Sequence, residues 1–131
     1  MAHLGQTFIN KPAPGVPPHL WMVVSDPAKG PRVVLVNVSS TKCPSGEECV
    51  IRRGEHASAS HDSYVRFREV RVSDLGKVDQ GLKAGVLQQA KDLDPKILQR
   101  VQRAVVESKA VPTEAKDILR AQGVGGEAAA T

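Results

Sequence analysis

The densest reactive chemistry in this chain lies between Gly54 and Val65, in the run Gly-Glu-His-Ala-Ser-Ala-Ser-His-Asp-Ser-Tyr-Val. It holds His56 and His61, two of the four histidines, with the carboxylates Glu55 and Asp62 beside them. Imidazole titrates near neutrality, so a histidine pair on a polar connection is where proton transfer is expected. The same residues would also suit a plain surface turn in which Asp62 or Ser63 bonds its own backbone. As metal ligands, His56, His61 and Asp62 fit no compact zinc spacing, and no metal or other cofactor is expected. A serine hydrolase is disfavoured because no strand–elbow–helix nucleophile motif occurs.

The elements that must hold this loop follow from the apolar pattern. Leu20 to Val24 is a short apolar run stopped by Ser25-Asp26-Pro27, and Arg32 to Val38 is apolar on both faces, the pattern of a central strand. Cys49 to Arg52 reads as a third strand and Tyr64 to Val72 as a fourth, with the alternation breaking near Glu69-Val70, where a bulge or strand end is expected. Beyond Ser73 the period becomes helical. Leu75 to Lys91 reads as a helix weakened by Gly81 and Gly85. Asp94 and Pro95 cap and open a helix through about Lys109, whose stripe is Ile97, Leu98, Val101, Ala104 and Val105. A shorter helix runs from a Thr113 cap to Gln122 and stops at Gly123.

The expected architecture is α+β: a Pro/Gly-rich lead-in over residues 1–18, a curled antiparallel β-barrel over 19–74, a helical part over 75–123, and a flexible tail over 124–131. A chain of 131 residues suits one domain, and with only 3% aromatics its core must be aliphatic. The net charge of +4 favours an anionic partner such as RNA, DNA or an acidic protein segment. No run of 18 apolar residues occurs and no signal peptide is apparent, so a cytoplasmic protein without membrane contact is expected. Cys43 and Cys49 are then expected as thiols, although a hairpin disulfide is a geometric alternative.

At the first two strands the chain resembles the MazF/PemK family of toxin ribonucleases. The family's Arg-Pro-Ala-Leu-Val-Leu-Ser strand is similar to His19-Leu20-Trp21-Met22-Val23-Val24-Ser25, and its next strand, ending in Thr-Ser, to Val33 through Ser40. Ser63 through Leu75 is similar to the family's closing strands, so the resemblance spans about residues 19–78. It implies an SH3-like barrel, homodimers, an antitoxin partner and metal-independent cleavage of single-stranded RNA. The family credits cleavage to an opening arginine and a closing hydroxyl. His19 stands at the arginine position, and Ser39 or Ser40 supplies the hydroxyl. Arginine grips phosphate bidentately and cannot act as a base, whereas histidine can move protons.

Cleavage through the RNA's own 2′-hydroxyl needs a base, an acid and groups to hold the phosphate charge. His61 and His56 are the expected acid–base pair, with His19 joining them if its strand end faces the loop. Ser39 or Ser40 would donate to the phosphate, and Arg32, Arg52, Arg53 and Arg66 would carry its charge. Tyr64, on a face with Arg66 and Arg68, is the base-stacking candidate, whereas Trp21 reads as core. The competing expectation is a non-catalytic SH3-like module that binds nucleic acid or protein, with its histidines scattered.

Overall fold

The computed structural model describes residues 2–10, 19–40, 49–57 and 61–124. Its strands are β1 (Thr7–Asn10), β2 (His19–Val23), β3 (Arg32–Ser39), β4 (Val50–Ile51), β5 (Ser63–Val65), β6 (Arg71–Asp74) and β7 (Leu87–Ala90), and its helices α1 (Leu75–Lys83), α2 (Pro95–Glu107) and α3 (Thr113–Ala121). All strand pairs are antiparallel, in the order β4-β5-β3-β2-β1-β7, with β6 also on β3. The fold is α+β, as the residue pattern predicts.

β3 organises the sheet because its valine-rich run can bury both faces. One edge pairs with β2; the other pairs with β6 along its first half and with β5 along its end. The expected single strand over Tyr64–Val72 is thus two strands, split by a 3-10 turn at Phe67–Glu69. That turn buries Phe67 and accounts for the break in alternation.

Side chains alternate across each strand, so the register defines two faces. Met22, Val24, Val34, Val36, Val38 and Val65 point to one, where α2 and α3 cover them with Ile97, Val101, Val105, Ala115 and Leu119. Phe8, Trp21, Val23, Val33 and Leu35 point to the other, where α1 covers them with Val78. The α2 stripe is buried as its spacing predicts, and Asp94 caps it by accepting from the Lys96 N–H at 2.8 Å. α3 ends as expected at Gly123, whose φ of +93° is open to glycine, with the Gly123 and Val124 N–H groups donating to the carbonyls of Arg120 and Leu119.

Three expectations are corrected. Thr7–Asn10 is not a lead-in but a strand, paired with both β2 and β7. Leu75–Lys91 is not one helix: α1 stops after Lys83, Gly85 turns the chain at φ +78°, and Leu87–Ala90 returns as β7. Gly81 permits this return, because a Cβ there would stand 2.8 Å from the Leu87 side chain. Thr113 begins α3 but does not cap it; Pro112 holds that position, with no side-chain hydrogen bond.

The sheet curls until the chain after β4 meets the chain after β7. Buried His56 packs its Nε2 against the Lys91 carbonyl at 2.5 Å and lies 3.3 Å from the Thr7 hydroxyl, which also donates to Lys91 O. α2 ties down the same edge. Arg100 donates to Glu55 through two N–H groups, at 2.8 and 2.9 Å, and to the Val50 carbonyl at 3.1 Å. That grip, reinforced by the Arg52 N–H, holds the Glu55 carboxyl at about 2.

Candidate functional site

Among the described residues, α1 covers only part of its face of the sheet, and the part it leaves gathers most of the polar chemistry. Asn10 is opposite His19 in the β1–β2 register, and Ser39 is opposite Tyr64 in the β3–β5 register. Leu20 pairs with Val38, so one further step of that ladder sets His19 beside Ser39. Tyr64, Ser39, His19 and Asn10 therefore form one row across four strands. All four are half-buried.

Beside this row lies a charged cluster held by the 3-10 turn. Buried Asn37 donates from Nδ2 to Glu69 at 3.1 Å, and Arg66 Nε donates to the other Glu69 oxygen at 2.8 Å. The Asn37 amide, followed by the Arg66 guanidinium and by His19, holds the Glu69 carboxyl below its usual range against the opposing effect of partial burial. Glu69 is therefore an ionised anchor across the neutral range. Asn37 Oδ1 is buried and meets no hydrogen-bond donor among the described residues. Next along the face, the Arg71 guanidinium sits 5.2 Å from the centroid of the Trp21 ring.

The structure brings some of the expected residues together and separates others. His19, Ser39, Tyr64 and Arg66 share the face that α1 leaves uncovered among the described residues. Ser40 is exposed just past the end of β3, and His61 is exposed on the segment leading into β5 at that same end of the sheet. Arg52 and Arg53 lie there too, where the Arg53 N–H donates to Asp62 at 2.9 Å. His56 is elsewhere. It contacts Thr7, which pairs with Met22 and so points to the α2 face, leaving the sheet between His56 and His19. Arg32 opens β3 and is ion-paired with Glu114 of α3; the strand carries it about 23 Å from Ser39. Trp21 is core, as expected, at 6% exposure.

Asn37, Glu69 and Arg71 are absent from the expected site. Asn37 alone carried a signal, a single polar residue inside an otherwise apolar strand pattern. Among the described residues no group of three or more His, Cys, Asp or Glu is placed to hold a metal ion, and no helix is long and apolar enough to cross a membrane. Cys49 is buried, and burial pushes its thiol up, which suits an inert packing residue. A bridge to Cys43, like the behaviour of the tail and of Ser58 and Ser60, lies outside the described residues.

No family profile and no curated protein matches the chain. A solved structure does: its fold is similar to that of a chain from an endoribonuclease in complex with its cognate antitoxin, from a mycobacterial species. The two align with a TM-score of 0.55 and 15% identity, over 86% of this chain and 98% of the other. The chain therefore shares the fold found in that complex, in agreement with the MazF/PemK resemblance of its strands.

Proposed function

We propose that this protein is a metal-independent endoribonuclease, the toxin of a toxin–antitoxin pair, acting on single-stranded RNA at the open face of its sheet. The observation that carries the reading is the row of Tyr64, Ser39 and His19 flanked by the Arg66–Glu69–Asn37 cluster. The endoribonuclease–antitoxin complex of the same fold supports it.

His19 and His61 are the acid–base pair, since both stand at the same end of the sheet. One removes the proton of the 2′-hydroxyl, whose oxygen then attacks phosphorus. The other gives a proton to the 5′-oxygen as the P–O5′ bond breaks. The products are a 2′,3′-cyclic phosphate and a 5′-hydroxyl. Ser39 donates to a phosphoryl oxygen, and Arg66, aimed by Glu69, holds the growing negative charge. Tyr64 supplies a stacking surface for a base.

The test is cleavage of an RNA pool by purified protein in chelator. Turnover with cyclic-phosphate ends is expected, along with a bell-shaped pH profile from two coupled imidazoles. His19→Ala and His61→Ala should each lower kcat by about 10²–10⁴-fold while RNA binding persists. Binding without any cleavage would assign the protein instead as a nucleic-acid-binding module.

A further inference from the structure

Between α1 and the sheet, next to the catalytic row, lies a cleft of about 200 Å³. Its walls include Phe8, Trp21 and Leu87, and its polar lining includes Asn10, Arg71 and Lys77. Two of these residues link the cleft to the site: Asn10 belongs to the row, paired with His19, and Trp21 lies across from Asn37 of the neighbouring cluster. A strand of RNA held at His19 and Ser39 would lie beside this cleft.

We propose that this cleft is a nucleobase subsite, taking one base splayed from the RNA strand beside the scissile phosphate; the inference rests on the proposed ribonuclease function. The apolar walls suit the body of a base, and single-stranded RNA is read by swinging unstacked bases onto such surfaces. The Asn10 amide offers both a donor and an acceptor to a base edge. Arg71 and Lys77 are exposed cations placed for the phosphates on either side of that nucleotide. An acidic peptide would also satisfy those cations, and its binding is an outcome that the titration separates.

Trp21 is the chain's single tryptophan, so its emission reports on this cleft alone. The experiment titrates the protein with a 2′-O-methyl oligoribonucleotide, which lacks the attacking hydroxyl, and with an abasic strand of equal length. The intact strand should change Trp21 emission and bind about 5- to 150-fold more tightly than the abasic one. Ser73→Phe, which fills the cleft from β6, should abolish the emission change and most of that preference. Asn10→Ala, a smaller change, should weaken the intact strand alone. Equal affinity for both strands, a preference untouched by Ser73→Phe, or an emission change produced by an acidic peptide and not by the oligonucleotide would overturn the proposal. An emission change in a protein that never cleaves ordinary RNA would sustain the subsite and remove the enzyme. Cleavage with silent Trp21 emission would do the reverse.

Discussion

His56 Nε2 lies 2.5 Å from the carbonyl oxygen of Lys91, joining the chain that leaves one edge strand to the chain that leaves the other. The imidazole is a closing group of the curled sheet. His56→Ala would take one buried partner from the Lys91 carbonyl, which keeps the Thr7 hydroxyl, at a cost of about 0.5–1.5 kcal/mol. Denaturant titration should show that loss, whereas turnover per folded molecule should match the parent. A catalytic collapse at unchanged stability would return His56 to the active site.

Glu55 gives the fold an acid-sensitive joint. Folding draws its carboxyl from 4.5 down to about 2, chiefly through the Arg100 hydrogen bonds. A group depressed by folding contributes its stability in full above the unfolded value, so this contribution fades as pH falls from 4.5 towards 2. The pair is partly exposed, at 45% for Arg100 and 26% for Glu55, which limits the effect to about 1 kcal/mol. Arg100→Ala should flatten the acid limb of the stability curve; an unchanged slope would show the pair to be inert.

Val101 is fully buried in the stripe that α2 lays on the sheet. Val101→Asp puts an unpaired carboxylate into that layer and should cost about 3–5 kcal/mol. Melting at the parent temperature would contradict the packing of α2.

Gly81→Ala sets two effects against each other. Alanine favours a helix interior by about 1 kcal/mol over glycine. The new methyl, however, would fall 2.8 Å from Leu87 Cγ and Cδ1 and press that side chain towards the cleft. Overpacking of this kind costs about 1–3 kcal/mol, so net destabilisation is expected by thermal melting. A more stable variant would show that Leu87 yields freely.

Salt dependence separates the two ends of β3. If Arg66 neutralises one phosphate, Arg66→Ala should reduce the slope of log K against log salt by about 0.7 for single-stranded RNA. Arg32→Ala, at the far end and paired with Glu114, should leave it unchanged. Equal losses from both would place the RNA elsewhere.

What the residues disclose in advance depends on where their partners lie. The runs of β2 and β3 and the Asp94-Pro95 start of α2 carry their signals locally, in alternation and capping, and they stand as expected. β1 and β7 do not. Gln88 and Gln89 are exposed, and an edge strand of that kind needs only backbone partners, which Asn10 through Thr7 supply from far away in sequence. The site divides the same way. His19, Ser39, Tyr64 and Arg66 were legible as reactive types on strands, whereas Glu69 joins them only because the 3-10 turn folds it back onto Asn37. His56 looked as reactive as His61, and only contacts 35 and 49 residues distant make it a packing residue.

The guanidinium of Arg100 does one thing more. β4 is the short outer strand of the sheet, bonded to β5 through Cys49 on its inner side, and Val50 turns its carbonyl outward to Arg100. A strand left with free outward acceptors is a template on which another chain can add itself, the first step of aggregation. By occupying that acceptor with a charged side chain from α2, the fold denies the template to its neighbours. The outward acceptor of β4 is thereby closed to the strand of a second copy.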